Sequence, residues 1–329
     1  MSLMELRAVS RHFDVSSPWL LRKLRREPRR SLTAVQRVSL QLEKGETYAL
    51  VGESGSGKST IASLMVGLLA PSEGEILLDG TPLTATAASS SSSLKPQSRL
   101  QMVFQSPYAS LNPRWRVQAI IEEPLRAYGL GLSAEARRAR VAEVLEQVGL
   151  SAKDAHKFPH EFSGGQRQRI SIARVLASEP ELIVCDEPTS ALDVSVQAQV
   201  LNLLTELQRE LQLTYLFITH DLAVVRQIAH RVGVLYLGEL VEEQSVEMLF
   251  TNPQHPYTHM LLAAAPRMDG FGREFEERSA TEIPDPIHRP SGCAFHPRCP
   301  LAVAECRTEV PPSKTLETGY HRCRRVCAG

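Results

Sequence analysis

The sequence predicts an α/β fold with a small, loop-rich C-terminal extension that contains cysteines. Two observations indicate the core. Short apolar runs typical of buried strands precede segments with helical periodicity, and a glycine-rich loop joins one such strand to one such helix. A third observation indicates the extension, because prolines cluster and periodicity fades from about residue 252 onward. A chain of 329 residues is long enough for one large domain and a small one.

Composition and charge exclude several classes of protein. Lys and Arg together number 37, as do Asp and Glu, so no global charge bias favours a nucleic-acid partner. No apolar run approaches the roughly 18 residues that a membrane-spanning helix requires. The first residues lack the apolar core and cleavage site of a secretory signal. We therefore expect a cytosolic location, where thiols stay reduced and a disulfide-stabilised tail is disfavoured.

The first motif lies within residues 40–69. The apolar segment "TYALVG" predicts a buried strand, and the pattern G-x-x-x-x-G-K-S follows it over residues 52–59. Apolar residues then recur at helical spacing over residues 61–68. This order of strand, glycine loop and helix is the context that a phosphate-binding loop requires, so the sequence predicts a nucleoside triphosphate site.

Each residue type in this loop has a physical role. Glycines allow consecutive backbone N–H groups to curl around phosphate oxygens, and the helix N-terminus adds partial positive charge. Lys58 can reach the β- and γ-phosphates, and the Ser59 hydroxyl can ligate Mg²⁺. The residues expected to contact the nucleotide are Gly52, Glu53, Ser54, Gly55, Ser56, Gly57, Lys58, Ser59 and Thr60.

Candidate catalytic groups follow two later strands. The run "LIVC" predicts a buried strand that contains Cys185 and leads into Asp186 and Glu187. Asp186 suits Mg²⁺ binding, and Glu187 suits the general base that activates the attacking water. A third predicted strand, "LTYLFITHDL", ends at His220, whose neutral imidazole could donate a hydrogen bond to the γ-phosphate.

A second anion site is predicted within "HEFSGGQRQRISIARVLAS". Ser163 can cap a helix there, and Gly164 and Gly165 expose backbone N–H groups. Since one nucleotide cannot occupy both sites of a monomer, we expect this site to meet the nucleotide of a partner subunit. Here the sequence resembles the ABC transporter ATPase family over about residues 1–250. The matching motifs, in family order, are "GESGSGKST", Gln105 in "MVFQSPYASLNPRW", "FSGGQ", "LIVCDEP", "SALD" and His220.

The resemblance implies a P-loop NTPase of the ABC cassette type, with a mixed sheet core and a helical subdomain, that hydrolyses ATP with Mg²⁺. It implies a head-to-tail dimer in which Ser163, Gly164 and Gly165 touch the γ-phosphate bound by the partner, and in which Asp193 lies at the dimer seam. The family usually pairs two paralogous subunits. Non-transport ABC ATPases of DNA repair and translation form a disfavoured alternative, because those usually carry two cassettes or a long coiled coil.

Further roles follow from the same resemblance. Gln105 is implied to be a catalytic residue that contacts the nucleotide and Mg²⁺ and links the site to two transmembrane permease subunits at the cytoplasmic face of the inner membrane. Phe13 is implied to lie under the adenine ring, although the family usually has tyrosine there and a core-facing Phe13 is the alternative. The helix-rich segment of about 107–162 is implied to be the helical subdomain that docks on the membrane partner.

Two segments of the cassette have no assigned role. Six basic residues between Arg22 and Arg30 predict either a solvated loop or a contact with anionic lipid. The serine-rich segment around residues 84–97 predicts a flexible surface loop.

Cysteines concentrate near the end of the chain. Their spacing is Cys293-x5-Cys299-x6-Cys306-x16-Cys323, and Cys327 follows. Structural zinc sites usually place ligands in pairs two to four residues apart, whereas an iron–sulfur cluster tolerates wider gaps. The residues alone therefore leave open a cluster, a zinc ion, or free or disulfide-bonded thiols.

The tail resembles the C-terminal extension of the oligopeptide/dipeptide permease ATPases. The resemblance rests on "HPYT" with the following "LL..AAP", on "GCAFHPRCP" and on the final "GYHRC". It implies an ABC ATPase domain at 1–251, an extension at 252–329, and a 4Fe–4S cluster on Cys293, Cys299, Cys306 and Cys323. It also implies import of peptides that an extracytoplasmic binding protein delivers. Relatives that import nickel or metal chelates, opines or glycosides leave the cargo open.

Overall fold

The computed structural model describes residues 2–17, 22–23, 28–83, 96–264, 284–285 and 287–324. Most of the serine-rich segment, Arg25 and Arg26 of the basic segment, and Cys327 lie outside these residues. None of the helices in the described part of the chain is long and apolar enough to cross a membrane.

Two β-sheets form the framework of the described chain. The smaller sheet is antiparallel, in the order β2-β1-β4-β5, and the larger sheet is mixed, in the order β11-β12-β10-β9-β3-β8-β7-β6. The strands are β1 (Ser2–Asp14), β2 (Ser31–Glu43), β3 (Thr47–Val51), β4 (Glu73–Leu78), β5 (Thr81–Pro82), β6 (Leu100–Val103), β7 (Leu182–Asp186), β8 (Thr214–Ile218), β9 (Arg231–Tyr236), β10 (Glu239–Ser245), β11 (Lys314–Thr315) and β12 (Tyr320–His321). The mixed sheet confirms the predicted fold class.

The central strands of the larger sheet are parallel and fully covered. β3 pairs with β8 on one side and with β9 on the other, both in parallel register, and every residue of β3 and β8 is buried. Parallel strands covered on both faces are apolar almost without interruption, which is why "TYALV" and "TYLFI" could be recognised from sequence. The parallel strands also direct their carboxyl ends to one edge of the sheet, where the candidate site lies.

Helices cover the sheet and form a separate layer beyond it. They are α1 (Lys58–Met65), α2 (Pro107–Ser110), α3 (Val117–Ala127), α4 (Ala134–Gln147), α5 (Gly164–Leu176), α6 (Val194–Leu211), α7 (Leu222–Ile228), α8 (Val246–Thr251), α9 (Pro256–Ala264) and α10 (Glu305–Thr308). Val141, Val144, Leu145 and Val148, predicted to share one helix face, are all buried in one cluster. That cluster also includes residues of α3 and α5, so helix packing continues beyond residue 162.

The tail is more regular than the sequence predicted. α9 forms where periodicity seemed to fade, and β12 pairs with β10, which extends the main sheet. The helical pattern of α9 was hard to recognise because the helix has only 9 residues. Its first residue, Pro256, also suggested a loop, yet proline is compatible with the first turn of a helix. Tyr257 and Met260 from α9 join a buried cluster with Phe295 and strand residues of the cassette. The predicted boundary at residue 251 therefore separates two segments that share a sheet and a core.

Candidate active site

The phosphate-binding loop connects β3 to α1. Gly57 precedes α1 with a φ of 106°, which lies in the left-handed region that favours glycine. A Cβ atom at this position would lie 2.3 Å from the backbone oxygen of Ala34, and one at Gly52 would lie 2.2 Å from that of Leu235. The two glycines are therefore required by the surrounding backbone as well as by the loop conformation.

Lys58 points back into the loop. Its Nζ donates to the backbone oxygens of Gly52 at 2.7 Å and Glu53 at 2.9 Å. Burial lowers the pKa of Lys58, and the nearby carboxylates of Glu187 and Asp186 oppose that shift. The loop carbonyls thus hold a desolvated ammonium group where phosphate oxygens would be bound.

Ser59 and Asp186 form the candidate magnesium site. The Ser59 hydroxyl donates to Asp186 Oδ1 at 3.3 Å, and Asp186 is the last residue of β7. Burial raises the pKa of Asp186, and the bond from Ser59 opposes this effect. A hydroxyl and a carboxylate oxygen are hard ligands of the kind that Mg²⁺ prefers, so the residues present fit that ion.

Glu187 is held between two other candidate residues. Gln105 Nε2 donates to Glu187 Oε2 at 2.8 Å, and His220 Nδ1 lies 3.2 Å from Glu187 Oε1. The three residues follow β6, β7 and β8, although β8 ends at Ile218, two residues earlier than expected. Glu187 has a φ of 47°, and its N–H donates to the Ile218 oxygen at 3.0 Å. The structure therefore unites Gln105, Glu187 and His220 at one edge of the sheet.

The segment "FSGGQ" begins α5 at the surface, with Ser163 as the N-cap. Ser163 is exposed, its Oγ accepts from Gln166 N at 3.3 Å, and its own N–H donates to Gln166 Oε1 at 3.0 Å. Within the described chain, no hydrogen bond or ion pair joins Ser163, Gly164 or Gly165 to the phosphate loop. The structure thus does not bring these residues together with the phosphate loop of the same chain.

Phe13 lies near the end of β1 and is half-buried. It pairs with Leu32 of β2, and the Arg11 guanidinium lies 4.8 Å from its ring centroid. Phe13 is absent from the buried clusters of the described residues, so the core-facing alternative is not what the structure shows.

The tail cysteines converge. Cys293, Cys299, Cys306 and Cys323 line one small pocket together with His255 and Phe295. Burial raises the pKa of Cys293 to about 11 and that of Cys299 to about 12, so both thiols are protonated near neutral pH. No group of three or more His, Cys, Asp or Glu side chains in the described residues is arranged to hold a metal ion.

Two contacts to the phosphate loop were missed from sequence. Arg298 forms two hydrogen bonds with the Glu53 carboxylate, and the Tyr257 hydroxyl accepts from Glu53 N–H at 2.8 Å. An acidic residue in a phosphate loop is a signal that a cation must lie nearby. The sequence could not tell which cation, since Arg298 is 245 residues away.

Together these observations define a P-loop nucleoside triphosphatase. The family described as ABC transporter matches residues 35–190, and the one described as oligopeptide/dipeptide transporter, C-terminal region, matches residues 241–306. The chain is 45% identical over 318 residues to a probable peptide ABC transporter ATP-binding protein of Sinorhizobium fredii, covering 97% of this chain and 88% of that one. It is 47% identical over 317 residues to the oligopeptide transport ATP-binding protein AppF of Bacillus subtilis, covering 95% and 94%.

The chain therefore belongs to the ATP-binding proteins of the oligopeptide/dipeptide ABC transporter family. Solved structures agree with this assignment. A dimeric ATP-binding cassette with bound ADP and Pi, in a post-hydrolysis state, matches with a TM-score of 0.60 at 30% identity, covering 74% of this chain and 98% of that one. A second dimeric structure of a bacterial ABC transporter cassette matches with a TM-score of 0.61 at 31% identity and the same coverage. The protein is an ATPase, and its site implies ATP and Mg²⁺.

Proposed function

We propose that this chain is the ATP-hydrolysing subunit of an importer that moves di- and oligopeptides across the cytoplasmic membrane. The observation that carries the proposal is the match of residues 241–306 to the C-terminal region of oligopeptide/dipeptide transporters. Within that range, Tyr257, Met260 and Phe295 pack in one buried cluster with strand residues of the cassette. Both relatives described above are named as peptide or oligopeptide transport proteins. The proposed division is a cassette at 1–251 and an extension at 252–329.

The proposed reaction is in-line attack of water on the γ-phosphorus. Glu187 accepts a proton from the water, the bond from phosphorus to the β,γ-bridging oxygen breaks, and ADP and phosphate are formed. Lys58 binds the β- and γ-phosphates, and His220 donates to the γ-phosphate. Magnesium, held by Ser59, Asp186 and Gln105, would neutralise charge on the phosphate oxygens.

The partner of the proposed dimer is a second cassette. The exposed, capped N-terminus of α5 supports this, because Ser163 forms no hydrogen bond with the phosphate loop among the described residues. Val194, which follows Asp193, is an apolar residue that is 84% exposed. Such exposure is expected of an apolar residue that a partner subunit covers in the dimer. We infer that Ser163, Gly164 and Gly165 complete the site of the paralogous subunit.

The proposed docking site for a transmembrane permease subunit lies beside Gln105. A largely apolar cavity of about 450 Å³ lies between the turn after α1, β6 and α3, and Leu68 and Phe104 in its wall are 63% and 41% exposed. Because Phe104 precedes Gln105, an occupant of this cavity would act on a neighbour of the catalytic carboxylate. Docking here would place the chain at the cytoplasmic face of the inner membrane, with an extracytoplasmic binding protein as an indirect partner.

We further propose a 4Fe–4S cluster in the tail, with zinc as the alternative. The four cysteines that line one pocket support it, and a cluster bonded to all four sulfurs would cross-link the segment from Cys293 to Cys323. No step of hydrolysis passes through this group. Since two of the thiols are protonated when buried, binding would release protons.

Replacing Cys299 with serine tests the cluster. For protein purified without oxygen, we expect a broad absorption band near 400 nm and about four iron per chain, both lost in Cys299→Ser. Cys185→Ala is the matched control, because Cys185 is buried in β7 and outside the pocket. A colourless protein with about one zinc per chain would favour the zinc site over the cluster. A protein with neither iron nor zinc would refute the proposal that the tail binds a metal.

Uptake measurements test the cargo. Cells that lack this chain should regain uptake of labelled di- and oligopeptides when the wild-type chain is supplied, and should not when Glu187→Gln is supplied. Uptake of nickel, opines and glycosides should be equal in the strain supplied with the wild-type chain and in the strain supplied with Glu187→Gln. Restored uptake of one of these cargoes, with peptide uptake unchanged, would replace peptides by that alternative. Unchanged uptake of every cargo would favour a non-transport ATPase.

A further inference from the structure

The phosphate loop contains an acidic residue at a position where anions bind. Glu53 directly follows Gly52, and its backbone oxygen accepts from Lys58 Nζ at 2.9 Å. A carboxylate so close to a bound triphosphate would repel it unless a cation neutralised the charge. The structure supplies such a cation from outside the cassette.

Arg298 neutralises Glu53 through a bidentate pair. Its Nη1 and Nη2 donate to the two carboxylate oxygens at 2.6 and 2.9 Å. The Arg298 side chain is only 5% exposed, whereas that of Glu53 is 25% exposed. Bidentate arginine–carboxylate pairs combine charge with fixed geometry, and burial of the arginine limits screening by salt.

The arginine is itself fixed by the packed part of the tail. Its guanidinium lies 5.9 Å from the ring centroids of both Tyr236 and Phe295. The backbone N–H of Arg298 donates to the backbone oxygen of Phe295 at 3.0 Å, within the turn that leads to Cys299. The position of the guanidinium therefore depends on the folded turn between two of the pocket cysteines.

A second contact from the tail holds the backbone of the same loop residue. Tyr257 of α9 accepts a hydrogen bond from Glu53 N–H at 2.8 Å. The Tyr257 ring lies 4.6 Å from that of Tyr236 and 5.4 Å from that of Phe295, by their centroids. Glu53 is thus held at its N–H and its carboxylate by the tail, and its carbonyl accepts from Lys58.

We propose that Arg298 and Tyr257 are positioning residues of the ATPase site, through which the folded tail neutralises and orients the phosphate loop. They act through Glu53 and do not touch the nucleotide. The proposal is independent of the cargo and of which metal, if any, the tail binds. It makes nucleotide affinity a property of the extension as well as of the cassette.

A double-mutant cycle on Arg298 and Glu53 tests whether Arg298 acts by neutralising the Glu53 carboxylate. In the purified full-length chain with Mg²⁺, Arg298→Gln should raise the Kd for ATP about tenfold, which is about 1.4 kcal/mol. Glu53→Gln should raise it only about threefold, because the repulsive charge is lost with the pair. The double variant should match Glu53→Gln, and the Kd for adenosine should stay the same in all three variants.

Arg289→Gln is the matched control. Arg289 forms a second ion pair between the described parts of the tail and the cassette, with its Nη2 2.7 Å from Glu239 Oε1, and within those parts no hydrogen bond or ion pair joins it to the phosphate loop. Its replacement should leave the Kd for ATP within twofold. Two results would overturn the proposal and leave Arg298 with a purely structural role. One is an equal rise in the Kd for ATP in Arg289→Gln and Arg298→Gln. The other is a Kd for the Glu53→Gln/Arg298→Gln double variant as high as that of Arg298→Gln.

Tyr257→Phe isolates the second contact. This substitution retains the ring and removes the hydroxyl acceptor of the Glu53 N–H. We expect the Kd for ATP to rise about threefold while the melting temperature falls by less than that of Tyr257→Ala, since the aromatic packing persists. A Kd for Tyr257→Phe equal to that of the wild type would remove Tyr257 from the proposed set.

Discussion

The Glu187→Gln variant is expected to bind ATP normally and to lose at least about a hundredfold in hydrolysis rate, the usual range for removal of a general base. The amide keeps the shape of the side chain and can still interact with Gln105 and His220, which lie 2.8 and 3.2 Å from the carboxylate. It cannot accept the proton of the attacking water. The measurement is steady-state phosphate release alongside nucleotide binding, in the assembled transporter.

The control for this variant is Glu179→Gln. Glu179 lies on the same chain shortly before β7, and its side chain is 77% exposed. Its replacement should leave both binding and turnover as they are. If Glu187→Gln instead hydrolyses ATP at the wild-type rate, the proton must be accepted elsewhere and the assignment of Glu187 as base fails.

Replacing Lys58 with alanine is expected to weaken ATP binding by about a hundredfold or more. The ammonium is buried and already positioned by two carbonyls of the loop, so its hydrogen bonds to phosphate would be charge-assisted and well shielded from water. Its removal also leaves Asp186 and Glu187 without the cation that opposes their mutual repulsion. Titration with a fluorescent ATP analogue measures the loss.

Lys153→Ala provides the comparison for Lys58→Ala. Lys153 is exposed in the turn after α4, away from the sheet edge that carries the site. Equal nucleotide affinity in the two variants would mean that the loop binds phosphate through its backbone alone. Loss confined to Lys58→Ala supports its proposed contact with the β- and γ-phosphates.

The parts of the fold that were predictable are those with local signals. The strand, loop and helix around Lys58 are contiguous, and "TYALV" is apolar because both of its faces are covered. Asp186 and Glu187 could be placed because they follow a strand of the same kind. Their meeting with Gln105 and His220 was expected from the family resemblance, and the shared sheet edge gives its physical reason.

The parts that were not predictable depend on contacts between distant residues. Nothing local to Glu53 indicates that Arg298 and Tyr257 will hold it, because those residues follow in sequence by more than two hundred positions. The pairing of β12 with β10 is equally hidden, since a two-residue strand carries no period. For the described residues of β12 and α9, contacts with the cassette therefore carry information that local propensity does not.

The backbone conformation of Glu187 affects how substitutions at this position alter stability and activity. A non-glycine residue in the left-handed region costs roughly 1–2 kcal/mol, so the φ of 47° means that the fold is strained at the position of its proposed base. Glycine would relieve that strain and remove the carboxylate in the same step. Thermostability and turnover are therefore expected to oppose each other at this residue.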